Sequence, residues 1–125
     1  MTRINLVPPT ELCDQHLLAE HRELTRIPNA VVRGGYSLEG QPSDYKLGTG
    51  HVKFFFDKLC FLCKRYRALH EECVRRGFNV TYKWPSVELP PNLCGDYEPT
   101  EAALVANRAR IAERMPVKAR FTKGT

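Results

Sequence analysis

One uninterrupted stretch limits the fold of this chain more than any other feature. Residues 51–76 contain neither proline nor glycine, and Gly77 follows directly. Apolar side chains recur in the stretch every three or four residues, which is the spacing of one face of an α-helix. They are Val52, Phe55, Phe56, Leu59, Leu62, Tyr66, Leu69 and Cys73. The pattern predicts one long helix with its apolar stripe in the core and a glycine at its end.

Two further helices are predicted on either side of this one. The sequence PPTE at residues 8–11 is typical of a helix start, because the turn is followed by a capping hydroxyl and an acidic residue. A first helix should therefore run over about residues 11–26 and stop before Pro28. A third should begin near Pro99 and end before Pro116.

The segments between the predicted helices lack regular spacing of apolar residues. Residues 33–50 are rich in glycine and residues 81–91 are rich in proline, so both are expected to be irregular connections. We therefore predict an all-α fold, a single compact domain of about three helices that spans residues 1–125. Residues 117–125 should form a flexible basic tail.

The composition favours an anionic partner. Of the 125 residues, 19 are Lys or Arg and 14 are Asp or Glu, so the net charge is +5 at pH 7. Nucleic acid is the most common partner of such a surface. No apolar run approaches the ~20 residues of a membrane span, and residues 1–5 lack the apolar stretch of a signal peptide. We expect an intracellular, cytoplasmic protein that does not contact membranes.

One face of the first predicted helix concentrates polar groups. At ~100° per residue, six side chains share this face: Gln15, His16, Ala19, Arg22, Glu23 and Arg26. A face of this kind is either a solvated surface with local ion pairs or a surface that grips an anion and holds one acid for chemistry. Helical spacing alone does not decide between these interpretations.

Short motifs spread over most of the chain resemble a known family. They include MTRINL at residues 1–6, ELxDQHL at 11–17, AExREL at 19–24, GHV at 50–52, DKL at 57–59, RGFN at 76–79 and GDY at 95–97. In this order and spacing, the motifs resemble the phage-type pyrimidine-dimer DNA glycosylases, the "endonuclease V" of dimer repair. The resemblance implies a monomeric repair enzyme that binds damaged double-stranded DNA in the nucleoid.

The resemblance also implies a chemistry and its residues. Members of the family lose Met1, and the exposed α-amine, here that of Thr2, attacks the sugar of the damaged nucleotide. Glu23 matches the essential carboxylate of the family. The DNA-binding positions of the family correspond to Arg3, Gln15, His16, Arg22, Arg26, Arg110 and Arg114. Such an enzyme releases the base, cuts the abasic site by β-elimination through an imine, and needs no metal or organic cofactor.

The chain departs from the family where the lesion is recognised. Its tail, MPVKARFTKGT, has Phe121 as its only aromatic residue, whereas phage members carry an aromatic-rich tail. His21 stands where the phage enzyme has an aromatic residue. Two alternatives therefore stay open: an enzyme for abasic sites or other damaged bases, and a DNA-binding helical domain without catalytic activity.

Two other groups of residues are not expected to carry chemistry. Cys60, Cys63, His70 and Cys73 lie on one predicted helix and extend over ~20 Å of its axis, too far apart to surround one metal ion. We therefore predict no metal site. His51, at a predicted helix start, should pack or form local hydrogen bonds.

Overall fold

The computed structural model describes residues 3–123. The chain forms five α-helices there, numbered in order: α1 (Asp14–Leu24), α2 (Arg26–Val32), α3 (His51–Phe54), α4 (Leu59–Arg75) and α5 (Glu101–Glu113). Single 3-10 turns occur at Pro9–Glu11 and Pro91–Leu93. No β-strand occurs between residues 3 and 123, although an isolated bridge joins Lys58 to Cys94. The predicted all-α fold is confirmed.

The first predicted helix consists of two helices in the structure. α1 ends at Leu24 and α2 begins at Arg26, so the prediction of one helix as far as Arg26 is wrong. Pro28 does not stop the helix, because it lies in the first turn of α2, where its missing N–H removes no intrahelical hydrogen bond. Thr25 keeps a near-helical backbone between them, at φ −65° and ψ −14°. The two helices therefore follow one another without a loop.

The long predicted helix is also divided, at residues 55–58 between α3 and α4. Backbone groups that would pair with each other in a continuous helix form hydrogen bonds to Gly95 instead. The Gly95 N–H donates to the Asp57 carbonyl (3.0 Å), and the Cys60 N–H donates to the Gly95 carbonyl (3.1 Å). A Cβ atom on residue 95 would lie 2.5 Å from the Asp57 oxygen, so only glycine allows this approach.

The core is organised by the packing of α1 against α4. α1 contributes Leu17 and Leu24, and α4 contributes Leu59, Leu62 and Leu69, all of them fully or almost fully buried. Each such side chain contributes about 1.5–3 kcal/mol of transfer free energy. The apolar stripe predicted for residues 51–76 therefore lies in the core, despite the break in the helix.

Buried ion pairs join the same two helices. Arg65 of α4 donates to Glu20 of α1 at 2.7 Å, and Arg76, which follows α4, donates to Asp14 of α1 at 2.9 Å. Arg76 also pairs with Glu72 at 2.7 Å. Because an unpaired buried charge is costly, these pairs favour one register of α1 along α4.

The C-terminal tail lies along the first turn of α1. The Asp14 N–H donates to the Arg120 carbonyl (2.6 Å), and the Thr122 N–H donates to the Asp14 carboxylate (3.0 Å). The Gln15 side chain donates to the Lys118 carbonyl (2.8 Å) and accepts from the Arg120 N–H (3.1 Å). The described part of the tail therefore has a defined place on α1, which the sequence did not predict.

A partly buried histidine pair makes the stability of the fold sensitive to pH. The Nε2 atom of His21 lies 3.1 Å from Nδ1 of His70, and His21 is 1% exposed. Burial, together with the nearby His70, lowers the pKa of His21 below its ordinary value of 6.5. Folding therefore favours neutral His21, and its contribution is complete above pH 6.5 and is lost as the pH falls through the lowered pKa.

We predict that the melting temperature falls between pH 7.5 and pH 5.0, and that His21→Phe makes this fall smaller. Phenylalanine keeps the buried ring but has no group that binds a proton. Thermal unfolding of both proteins at the two pH values measures the effect. An equal loss of melting temperature in both proteins would show that His21 does not contribute.

Candidate functional site

The N-terminal segment enters the core without regular secondary structure. Residues 4–7 are buried, and no strand pairs with them among the described residues. Buried backbone N–H and C=O groups need hydrogen-bond partners, and here side chains from distant parts of the chain supply them. Four side chains bond to the backbone of the segment, and Glu20 bonds to its Asn5 side chain. We call these five side chains the clamp: Glu20, Tyr45, His51, Arg65 and Asn107.

Three members of the clamp hold the two ends of the segment. The Ile4 N–H donates to Nε2 of His51 at 2.8 Å, and the Ile4 carbonyl accepts from the hydroxyl of Tyr45 at 3.1 Å. The Val7 carbonyl accepts from a guanidinium nitrogen of Arg65. The first buried residue of the segment is therefore held on both its N–H and its C=O side.

The other two members hold the middle of the segment. Oδ1 of Asn107 accepts from the Leu6 N–H (2.6 Å) and the Val7 N–H (3.2 Å), and its Nδ2 donates to the Asn5 side chain (2.8 Å). Asn5 in turn donates to Glu20 at 2.9 Å. No buried side-chain N or O atom in the described residues lacks a partner. A fully satisfied network of this kind is rigid.

Arg3 lies directly before this segment and lines two cavities. The first, of about 200 Å³, is lined by Arg3, Asn5, His16, Ala19, Glu20, Glu23 and Ile111, and we call it the Glu23 cavity. The second, of about 310 Å³, is lined by Arg3, Leu47, Gly48, Thr49, His51, Val52 and Arg110. A larger cavity of about 670 Å³ beside Phe61 and Tyr97 contains none of the predicted site residues.

Positive charges from the two ends of the chain meet around Arg3. Burial and the charges of Arg110 and Arg114 lower the pKa of the Arg3 guanidinium below its ordinary value, and Glu23 acts in the opposite direction. Two other predicted DNA-binding arginines and the predicted catalytic acid are thus within electrostatic reach of Arg3. Such a cluster of cations attracts a phosphate group.

The two carboxylates of the Glu23 cavity differ in their partners. Glu20 is 2% exposed, and its oxygens accept hydrogen bonds from Arg65 and Asn5. Glu23 has one described charged partner, Arg22, at 3.4 Å, and its side chain is 14% exposed. Glu20 is therefore committed to the structure, whereas Glu23 has oxygens available to a substrate.

The other residues predicted to bind DNA or to react differ in their exposure and in their partners. Arg22 and Arg26 are exposed, but Arg26 belongs to α2 and not to α1. Nε2 of His16 lies 3.1 Å from the Arg114 carbonyl, and Gln15 is bound to the tail. Thr2, the predicted nucleophile, lies outside the described residues.

Most of the clamp was not identified from the sequence. His51 is expected to pack or to form local hydrogen bonds; it does bond to the nearby Lys46 carbonyl, but its second partner, Ile4, lies 47 residues away in the chain. A signal existed for Asn107, because it lies four residues from both Ala103 and Ile111, the buried residues of α5. A polar residue on an apolar stripe is a candidate for a buried hydrogen bond.

A sequence model of the family described as pyrimidine dimer DNA glycosylase matches residues 1–86. The chain belongs to this family.

The matched residues of this pyrimidine dimer DNA glycosylase family member include the N-terminal segment, α1 to α4, and four of the five clamp residues. Asn107, Arg110 and Arg114 belong to α5 and the residue after it, beyond the match. The Glu23 cavity is therefore built mainly from the matched part and is closed by α5 through Ile111.

The described residues also bear on metal binding and on membrane spans. Between residues 3 and 123, no group of three or more His, Cys, Asp or Glu side chains is arranged to hold a metal ion. In the same part of the chain, no helix is long and apolar enough to cross a membrane.

Truncation of the two cavity carboxylates should reduce the folding free energy by different amounts. Glu20→Ala leaves Arg65 buried without its ion partner, so we expect a loss of about 3–5 kcal/mol of folding free energy. Glu23→Ala removes a partly exposed pair and should cost about 0–1 kcal/mol. Urea unfolding of both variants measures this difference. Equal stabilities would show that Glu20 is not the structural carboxylate.

Proposed function

We propose that this chain is a DNA glycosylase for cyclobutane pyrimidine dimers and a lyase for the abasic site that results, with the Thr2 α-amine as its nucleophile. Membership of the pyrimidine dimer DNA glycosylase family supports the substrate class. One observation carries the choice of site: Arg3, which is bonded directly to Thr2, lines the same cavity as Glu23. The cavity is thus lined by the first described residue of the chain and by a carboxylate with available oxygens.

An α-amine suits this reaction because the pKa of its protonated form is close to neutral pH. Its ordinary pKa is about 7.7–8.0, against about 10.4 for a lysine side chain, so an appreciable fraction is neutral and nucleophilic near pH 7. The amine nitrogen attacks C1′, the bond from C1′ to the base breaks, and the base leaves with the electron pair and gains a proton. Opening of the sugar ring then gives an imine between the amine and C1′.

The imine makes strand cleavage possible. In its protonated form it accepts electrons, so a base can remove a proton from C2′ and the 3′ phosphate leaves with the electron pair of its C–O bond. This β-elimination consumes no water or metal ion, and hydrolysis of the imine later frees the amine. We assign the proton transfers to Glu23, whose carboxylate also stabilises positive charge at the sugar.

Arginines that line the two cavities or are exposed elsewhere on the surface supply the grip on DNA. We propose that Arg3, Arg22, Arg26, Arg110 and Arg114 neutralise phosphates, and that His16 and Gln15 lie at the edge of the bound duplex. The proximity of Arg110 and Arg114 to Arg3 supports this assignment, since like charges gathered around a cavity favour an anionic ligand. Exposure of Arg22 and Arg26 leaves both free to reach the duplex.

A broader lesion range is the second candidate function. Arg110, Arg114 and the tail lie beyond the family match, and Phe121 is the only aromatic residue of the tail. An enzyme with these features could act on abasic sites or other damaged bases and not favour dimers. Two duplexes, one with a thymine dimer and one with an abasic site, separate the two candidates by their relative rates.

The nucleophile is tested by borohydride trapping. Protein with a free Thr2 amine should form a reduced covalent adduct with abasic duplex DNA, and peptide mass mapping should place the adduct at Thr2. Retention of Met1 should abolish the adduct while the protein still binds DNA, and it therefore serves as the matched control. An adduct on a lysine would refute the assignment.

The role of Glu23 is tested by Glu23→Gln, which keeps the size of the side chain and removes its charge. We expect base release to slow by about 10²–10⁴-fold, because a positioned acid–base group is lost. Affinity for damaged duplex should hold or rise, since a negative charge leaves a surface that binds phosphate. Single-turnover rates and binding isotherms measure the two effects. Turnover within a few-fold of the parent would place the active site elsewhere.

A further inference from the structure

His51 occupies an unusual place between two backbone groups. Its Nε2 atom lies 2.8 Å from the Ile4 nitrogen, and its Nδ1 atom lies 2.8 Å from the Lys46 carbonyl oxygen. The ring is 5% exposed, so water does not replace either partner. Among the described backbone N–H groups that a side chain accepts from, the Ile4 N–H held by His51 lies nearest to the start of the chain.

The two partners determine the protonation state of the ring. A backbone N–H can only donate, so Nε2 must carry a lone pair toward Ile4. A carbonyl can only accept, so Nδ1 must carry the proton toward Lys46. The geometry therefore requires a neutral imidazole with its proton on Nδ1.

Protonation of Nε2 would remove the bond to Ile4 and place two N–H groups opposite each other. An unsatisfied buried N–H is costly, so the first residues of the segment would have to move away from the ring. Ile4 is two residues from Thr2 and one from Arg3, which lines the Glu23 cavity. Any such movement acts directly on the start of the chain.

We propose that His51 is a positioning residue, which in its neutral form holds the N-terminal segment so that the Thr2 amine is presented at the Glu23 cavity and which releases the segment when it is protonated. The inference rests on the proposed function of the Thr2 amine. It adds an element of control, because attack then depends on the protonation states of two groups, the amine and the imidazole.

The surroundings of His51 favour its neutral form. Burial lowers its pKa below the ordinary value of 6.5, and the charges of Arg3 on the N-terminal segment and Arg110 on α5 act in the same direction. The Lys46 carbonyl and Glu20 of α1 oppose this shift. The ring of Tyr45 meets the imidazole edge to face at 5.4 Å and carries no charge near pH 7. Release of the segment is therefore expected only on the acid side of pH 6.5.

The test compares rates of borohydride trapping on abasic duplex DNA between pH 5.0 and 8.0. His51→Gln supplies an uncharged oxygen that accepts from the Ile4 N–H and does not titrate, whereas His51→Leu supplies no acceptor. His70→Gln is the matched control, because it removes another titrating histidine that lies outside the clamp. Binding to the same DNA under non-trapping conditions corrects each rate for the fraction of competent protein.

We expect His51→Gln to trap within about fivefold of the parent at pH 7.5, and His51→Leu to be slower by about 10²-fold at similar DNA affinity. The ratio of the parent rate to the His51→Gln rate should be constant above pH 7 and fall by up to about tenfold per pH unit below the pKa of His51. The His70→Gln profile should follow that of the parent. Superimposable profiles of the parent and His51→Gln would overturn the inference.

A measurement on the unaltered protein is independent of how the variants fold. Nitrogen-15 NMR of the imidazole should show the Nδ1–H form at pH 7.5, and its titration midpoint should coincide with the additional acid limb of the trapping profile. A proton on Nε2 at pH 7.5, or a different midpoint, would overturn the role of His51. Absence of any adduct in the parent would instead refute the proposed function, and the inference with it.

Discussion

The structure depends on one requirement: a buried, irregular chain segment must find partners for its backbone polar groups. Residues 4–7 pass through the core without pairing to a strand, so side chains from three helices and a loop supply the hydrogen bonds. This solution commits the four polar side chains His51, Arg65, Asn107 and Tyr45, and Glu20 holds the Asn5 side chain beside them. Its result is that the segment is held at several points along its length, and that the start of the chain leads away from a rigid part of the molecule.

The same requirement explains the charges buried between α1 and α4. Glu20 could not accept from Asn5 in the interior as an isolated anion, because removing a carboxylate from water is costly. Arg65 offsets that cost and also donates to the Val7 carbonyl, so one guanidinium serves both the ion pair and the segment. The packing of two helices and the position of the N-terminal segment are therefore coupled through a single arginine.

More of the fold than of the site could be predicted from the sequence. Helical spacing located the apolar stripe of α4, but it could not show the break at residues 55–58, since that break depends on the approach of Gly95 from far along the chain. Resemblance to a family supplied Glu23 and Arg3, and the structure places both at one cavity. The clamp was missed because its hydrogen bonds span up to 102 residues of sequence, and local patterns hold no information about such pairs.

One turn of α5 joins the structural and electrostatic parts of the site. Asn107 accepts from the N-terminal segment, and Arg110, three residues further along the same helix, lies within electrostatic reach of Arg3. A helix held at Asn107 therefore cannot shift without also moving the charge that faces Arg3. The position of α5 therefore couples the hold on the N-terminal segment to the positive charge around Arg3.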